Sequence, residues 1–349
     1  MTTPRTALWV TPVSNLAGVA RHVLDATAHG VPGWRIVVAC PPGPLLDELG
    51  RRGVEAHAVP LDGAAPTAVR ELRRVITRVK PQVVHGHLAR ADLLAAAANA
   101  GLPPKLISTE HGIAANARLY NKQALAATVK RAMHWARCQM TDAIIGVSES
   151  TASLVRSTWH PRARVVVVLN GVDRPAERQT VPGHRFLSLS RLAHEKNIDK
   201  VLDAFAIVTQ KLPGASLTVA GDGPLLDALR AHAIELGLGD RVTFPGHVDG
   251  TRALTEHDVV VQLSAWENAS YTLLDAAAHG LGVVATPVGG NPEFLPEQCL
   301  VTASDRDAVA AAMLEQSGDV DRRPTLPESW PTIDQMCAGI AEVYQEVCR

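Results

Sequence analysis

The sequence lacks paired cysteines. Cys40, Cys138, Cys299, Cys337 and Cys348 are odd in number, scattered along 349 residues and never in a CxxC arrangement. That excludes a zinc-ribbon spacing and a disulfide framework, and fits a reducing compartment. Long apolar runs are also missing. The N-terminal MTTPRTALWVTPVSNLAG and the Ala-rich stretch 91–100, broken by Asp92 and Asn99, are both too short for a signal peptide or a membrane span. The expected location is the cytoplasm, with peripheral contact at the inner face of the cell membrane still open. Neither sign of charge dominates: 34 Lys and Arg stand against 35 Asp and Glu. A nucleic-acid binder, whose affinity rests on a net basic face, is therefore not expected. There is no GxGxxG fingerprint, and Ser148 in GVSES is not a GxSxG elbow, so nicotinamide binding and serine hydrolysis have little support.

What is present is a βα alternation. The composition, 46% hydrophobic and 20% charged, is that of a folded globular chain. At roughly 150 residues per domain the length suggests two domains. Strand candidates in the first half are ALWVTP, RIVVAC, QVVHGH, KLISTE, DAIIGVS and RVVVVLNG. Helix candidates lie between them, among them ARHVLDATAHG, PTAVRELRRVITRVK and ARADLLAAAANAG. After Asn170-Gly171 the polar DRPAERQTVPGH reads as a linker. The pattern then restarts with HRFLSLS, SLTVAGDG, RVTFPG, DVVVQLS and GVVATPVGG, and ends in an amphipathic helix. The expected architecture is α/β, with two doubly wound Rossmann-like domains facing a cleft. Its segments are residues 1–172, residues 173–328, and a C-terminal helix over 329–349 that returns to the first domain. Internal similarity is of topology only.

In such sheets ligands sit beyond the carboxyl ends of the strands, and the chemistry-bearing residues fall there. SRLAHEKN places Arg191 and Lys196 after a strand, a guanidinium fork and a point cation that suit a diphosphate. SNLAGVARH places Gly18 at the turn into a helix, where backbone can approach an anion closely. AGDGP, with Gly221, reads first as a strand-to-helix turn with Pro224 at the helix start. His247 and Val248 in FPGHV could set backbone groups against a base. In ENASYTLLDAAAHG, Ser270 is placed to cap a helix, and the amides of Ser270, Tyr271 and Thr272 would face a phosphate. Glu267 and Asp275 would accept hydrogen bonds from sugar and ribose hydroxyls. His111 follows KLISTE at a strand end. With His85 and His87 it invites a metal reading, but no tight ligand spacing supports one, and no metal is expected.

Taken in order, STEHG, GVSES, LNGVD, LSRLAHEKNID, VAGDGPL, FPGHV and ENASYTLLDAAAHGLGVVATPVGGNPEFL resemble the retaining GT-B glycosyltransferases of family 4, over nearly the whole chain. In that family two acids, usually both glutamates, are separated by seven residues; here they are Glu267 and Asp275. The resemblance implies that Glu267 touches the donor sugar and Asp275 the ribose, and that Arg191 and Lys196 bind the diphosphate and steady the leaving group. It also implies that His111 lies near the donor sugar and the attacking acceptor. Gly18 matches a phosphate-facing loop in which Ala17 stands where relatives often carry a first glycine. The shorter Asp275 and Ala17 are departures from the family pattern.

The implied reaction is transfer of a hexose or N-acetylhexosamine, with retention, from a nucleoside-diphosphate sugar to a hydroxyl. UDP-sugar is the preferred donor and GDP-sugar the alternative, with no cofactor and no metal. The acceptor would be a glycan or lipid-linked molecule in cell-envelope polysaccharide synthesis. Alternatives are tailoring of a small secondary metabolite, an epimerase or phosphorylase on the same frame, and a nonenzymatic sugar-nucleotide sensor. After His111, the cations Arg118, Lys122, Lys130, Arg131 and Arg137 beside Leu119, Leu125, Met133 and Trp135 suggest docking on an anionic membrane.

Overall fold

The computed structural model describes residues 5–112, 124–176 and 181–349. The chain divides into two compact units, Met1–Gly171 with Pro331–Arg349, and Val172–Trp330. In the first unit the strands are β1 (Arg5–Val10), β2 (Trp34–Cys40), β3 (Ala56–Ala58), β4 (Val83–His87), β5 (Lys105–Glu110), β6 (Ala143–Gly146) and β7 (Arg164–Val167). They pair in the order β3-β2-β1-β4-β5-β6-β7, each pair parallel. The helices of this unit are α1 (Gly18–His29), α2 (Pro44–Arg51), α3 (Ala65–Val79), α4 (Ala89–Asn99), α5 (Ala124–Gln139) and α6 (Glu149–Trp159). The second unit holds β8 (Arg185–Leu189), β9 (Ser216–Ala220), β10 (Val242–Gly246), β11 (Val259–Gln262) and β12 (Gly282–Ala285), also all parallel, in the order β10-β9-β8-β11-β12. Its helices are α7 (Ile198–Lys211), α8 (Leu226–Glu235), α9 (Gly250–Glu256), α10 (Tyr271–His279) and α11 (Arg306–Gly318). A final helix, α12 (Ile333–Val347), belongs to the first unit.

The strands read as continuous apolar runs because helices cover both faces of each sheet. β4 and β11 are buried at every position. In each unit the strand order reverses once, between β1 and β4 and between β8 and β11. At such a switch point neighbouring crossovers leave in opposite directions and open a crevice at the strands' carboxyl ends. Gly18 follows β1, and His111 follows β5, the neighbour of β4. Arg191 and Lys196 follow β8, and Glu267 follows β11.

α12 closes the core of the first unit. Thr332 and Gln335 form a capping box at its start, and Met336, Ile340 and Tyr344 pack with Trp9, Val23 and Ile145. Tyr344 is fully buried and still fully satisfied. Trp9 Nε1 donates to its hydroxyl at 2.7 Å, and that hydroxyl meets His85 Nδ1 at 2.5 Å. His85 Nε2 in turn meets Thr109 Oγ1 at 2.7 Å. One phenol thereby ties the last helix to β1 and β4. Tyr344→Phe strands the Trp9 and His85 groups in an apolar core and is expected to cost about 1–3 kcal/mol. Urea unfolding of this variant at unchanged m-value checks the figure, and an unchanged midpoint would remove the network from the stability of this unit.

Candidate functional site

In the second unit the site is built around one carboxylate. Glu267 sits on the loop between β11 and α10, and its side chain is 14% exposed. Its Oε1 accepts from Lys196 Nζ, from Ser264 Oγ at 2.8 Å and from Gln262 Nε2 at 3.0 Å. Among the described residues these bonds all converge on Oε1, which leaves Oε2 to accept from a ligand hydroxyl. Gln262 is itself held, its Oε1 accepting from Ser270 Oγ at 3.1 Å. The loop carrying Arg191 and Lys196 is pinned to the Glu267 loop, because Ala265 N donates to Glu195 O at 2.7 Å and Asn197 Nδ2 donates to Leu263 O at 2.7 Å.

The structure thus joins Lys196 and Glu267 directly. Arg191 behaves differently: its side chain is 64% exposed and pairs with the neighbouring Glu195. Asp275 is buried in the second turn of α10, and its backbone carbonyl accepts from His279 Nδ1 at 2.8 Å. Ser270 occupies the N-cap position with extended backbone, but its side chain makes no cap hydrogen bond. The capping expectation is corrected: the hydroxyl turns to Gln262 instead, so it does not block the first turn. Tyr271 is buried and Thr272 half-buried at the start of the helix.

The remaining candidates of this unit are turn residues. Gly221 has φ +126°, and a Cβ there would lie 2.0 Å from the Ser190 carbonyl oxygen, so its glycine is required by the β8 and β9 turns packing together. Pro224 stands two residues before α8 rather than at its first position. His247 is exposed and Val248 half-buried just after β10. Gly289, which the sequence reading passed over, fixes the key loop. At φ +58°, a Cβ there would meet the Glu267 carbonyl oxygen at 1.7 Å, while Gly290 N donates to Asn268 O at 2.6 Å.

In the first unit the strand ends carry a second cluster, and its members are histidines. His111 is half-buried directly after β5, and its Nε2 meets His87 Nδ1 at 2.9 Å. His22, on α1, joins them: one ring nitrogen from each of His22, His87 and His111 lies within 4.8 Å of the others. His85, grouped with His87 and His111 in the sequence reading, faces Tyr344 and Thr109 instead. Burial pushes His22 down to about 4, opposed by its hydrogen bond with Asn170. Burial, reinforced by the neighbouring histidines, holds His87 and His111 well below the usual imidazole range. All three are neutral near pH 7. Gly18 starts α1, exposed, with open space where a Cβ would be.

Just before His111, Glu110 is tied into a buried ion cluster. Arg137, 1% exposed, bridges Glu110 and Asp92, the latter at 2.5 Å, and lies over the Trp159 ring. Arg137 is therefore no part of a basic outer face, which corrects the membrane-docking set. Met133 and Trp135 are exposed, at 47% and 53%. Arg118, Leu119 and Lys122 lie outside the described residues, as do the side chains of Leu125, Lys130 and Arg131. Ser148 caps α6, accepting from Thr151 N at 3.0 Å.

Comparison with known proteins adds the family. Residues 183–319 match the description "Glycosyl transferases group 1", and residues 16–174 match "Glycosyltransferase Family 4". The chain is 28% identical over 346 residues to a GDP-mannose-dependent alpha-(1-6)-phosphatidylinositol monomannoside mannosyltransferase of Mycobacterium tuberculosis, covering 89% of this chain and 84% of that one. It is also 28% identical to a glycogen synthase of the same organism, over 88% and 84% of the two chains. Among solved structures, Anabaena HepE in complex with UDP-glucose superposes with a TM-score of 0.77 at 17% identity, covering 98% of each chain. Sucrose-phosphate synthase from Thermosynechococcus elongatus gives 0.79 at 16% identity, over 98% and 99%. These structures share the GT-B fold.

Gly289→Ala adds a Cβ where the Glu267 backbone already stands, in a backbone region that costs an L-residue about 1–2 kcal/mol before any clash. The variant is expected to lose more than that in thermal or urea unfolding. A variant as stable as the parent would show that the Glu267 loop is not locked by this contact.

Proposed function

This chain belongs to the group 1 glycosyltransferases and is an enzyme of that class using a nucleotide-sugar donor, and from that premise we propose that it moves a hexose or N-acetylhexosamine, with retention, to a hydroxyl of a glycan or lipid-linked acceptor. The observation that carries this reading is the Lys196–Glu267 pair at the β8/β11 switch point, beside a helix start whose N-cap side chain makes no cap hydrogen bond. In this reading residues 173–328 bind the donor, and residues 1–172 with the helix over 329–349 serve the acceptor.

Each residue type has a chemical reason for its role. The diphosphate takes Lys196, Arg191 and the first amides of α10, at Ser270, Tyr271 and Thr272, because cations and a helix start both stabilise anionic oxygens. Glu267 Oε2 accepts from a sugar hydroxyl and Asp275 from the ribose, so neither carboxylate is set against a phosphate. Gly221, His247 and Val248 flank the nucleoside. His111 stands by the reacting sugar and Gly18 in a phosphate-facing loop. As the bond to the sugar breaks, charge grows on the leaving phosphate oxygen, and the fixed cations stabilise that charge most in the transition state. The acceptor hydroxyl attacks on the face the diphosphate leaves, and the departing diphosphate takes its proton. No metal or cofactor is required by this scheme.

The mycobacterial mannosyltransferase, GDP-mannose-dependent by its name, supports a GDP-sugar; HepE, solved with UDP-glucose, supports a UDP-sugar. A lipid-linked acceptor is supported by the same mannosyltransferase, and the exposed Met133 and Trp135 support peripheral contact with an anionic membrane. No helix among the described residues is long and apolar enough to cross one.

Thermal unfolding with UDP-, GDP- and TDP-sugars is expected to rise with one nucleotide class, since a ligand of the folded form alone raises stability. No shift with any of them would defeat the donor assignment. Arg191→Ala is expected to lower kcat about 100-fold or more at saturating donor, and a near-normal rate would remove its leaving-group role. Gln262→Leu takes one donor from Glu267 and the anchor from Ser270. It is expected to raise the KM for the sugar nucleotide while leaving UDP or GDP binding nearly intact. Equal weakening of both would place Gln262 elsewhere.

A further inference from the structure

The histidine cluster of the first unit is larger than the proposed transfer reaction needs. That reaction uses His111; nothing in it uses His22 or His87. Yet α1, β4 and the end of β5 each deliver one imidazole to the same spot at the carboxyl ends of the sheet. Burial is nearly complete for two of them, at 2% for His22 and 0% for His87. His87 Nδ1 and His111 Nε2 point at one another across 2.9 Å.

We propose that His22, His87 and His111 form a binding site for a divalent transition-metal ion, with Zn²⁺ the best match. Three neutral imidazoles are a borderline-soft nitrogen set, suited to Zn²⁺, Co²⁺, Ni²⁺ or Cu²⁺ and ill suited to the hard, oxygen-seeking Mg²⁺ and Ca²⁺. The geometry is close to what is required. Zn–N bonds of about 2.0–2.1 Å put tetrahedral ligand atoms roughly 3.3 Å apart, against at most 4.8 Å here. The 2.9 Å His87–His111 contact is a hydrogen bond between two ring nitrogens, so an ion would replace the proton between them and spread the pair slightly while His22 moves in. Burial keeps the rings unprotonated, which is the ligating form. His111, the half-buried member, gives the ion its way in and leaves a fourth position for water or a substrate oxygen.

This site has a consequence that rests on the proposed role of His111. An ion bound there takes up the His111 nitrogen, so Zn²⁺ competes with transfer, and the cluster acts as an inhibitory metal site rather than a catalytic one.

The test uses the full chain without a histidine tag, stripped with chelator and then dialysed against Zn²⁺ alone and Co²⁺ alone, with no donor or acceptor present. The expected result is one ion per chain and a visible absorption band for the Co²⁺ adduct typical of low-coordinate nitrogen ligation. His22→Gln and His111→Gln are each expected to weaken binding by more than about tenfold, with folding confirmed by circular dichroism. His111→Gln, the less buried position, guards against loss by misfolding. No bound Zn²⁺, or binding unchanged in both folded variants, overturns the site. Because this readout needs no turnover, it stands or falls apart from the transfer reading. In a transfer assay, Zn²⁺ is expected to inhibit and chelator to relieve it; bound Zn²⁺ with undiminished transfer overturns the competitive role.

Discussion

The Glu267 carboxylate is the fixed point of the second unit. Lys196 reaches it from the loop after β8, Ser264 and Gln262 from the end of β11, and Gly289 presses on its backbone from the loop after β12. A carboxylate with little solvent is stable only when its charge is met by a cation and donors, and removing one partner of such a pair costs far more than the pair itself contributes. That asymmetry makes the loops around Glu267 interdependent. None can shift without leaving a charge or an amide unpaired, so the acid is held in one orientation before any ligand arrives. Preorganisation of this kind reduces the ordering that binding and catalysis would otherwise require.

Both units obey the same topological rule, yet they stock their switch points with opposite chemistry. In the second unit the crevice between β8 and β11 holds full charges, a cation joined to an acid and a further cation nearby. In the first, the ends of β1, β4 and β5 gather neutral imidazoles against the Trp9 ring, with His87 4.5 Å from it between centroids. Charged groups suit a ligand that carries charge and hydroxyls together. Neutral imidazoles can donate or accept a hydrogen bond without attracting an anion. In the proposed reading, this contrast in residue type would give the second unit the charged donor and the first the neutral surroundings of the reacting hydroxyl.

Much of this was legible in the sequence, for physical reasons that also mark where reading stops. Fully buried parallel strands announce themselves as apolar runs, so VVHGH, DVVVQLS and GVVATP were readable as strands, and Lys196 and Glu267 could be placed at strand ends. β3, with three residues, is too short to show a pattern. Gln262 and Ser264 were hidden because a polar residue closing an apolar strand has no periodicity to betray its direction. His22 was missed for a related reason: on α1 it falls among the apolar positions that pack inward, at 2% exposure, and only the sheet's order reveals that this face meets β4 and β5. Arg137 reads as a membrane-facing cation because composition cannot see that Asp92 and Glu110, far away in sequence, wait beneath it. Ser270 had a better partner than the helix it precedes.

The two cations after β8 are held by bonds of unequal strength, and that inequality suggests an order of events. Arg191 pairs with Glu195 at 64% exposure of its own side chain, a solvent-screened contact worth at most about 1 kcal/mol. It can leave that partner for a phosphate oxygen at little cost. Lys196 is 20% exposed and shares its acid with two further donors, so drawing it fully away from Glu267 would leave a poorly solvated carboxylate short of its cation. Were the proposed diphosphate bound, the economical arrangement would be for Lys196 to stay and bridge, touching the acid on one side and the diphosphate on the other, while Arg191 moves. The point charge of an ammonium, with three donors and no plane to align, suits a bridge; the planar fork of Arg191 suits capture of the phosphate. A ligand that brought its negative charge and its hydroxyls to this loop together would then complete both pairings at once, and one that brought either alone would not.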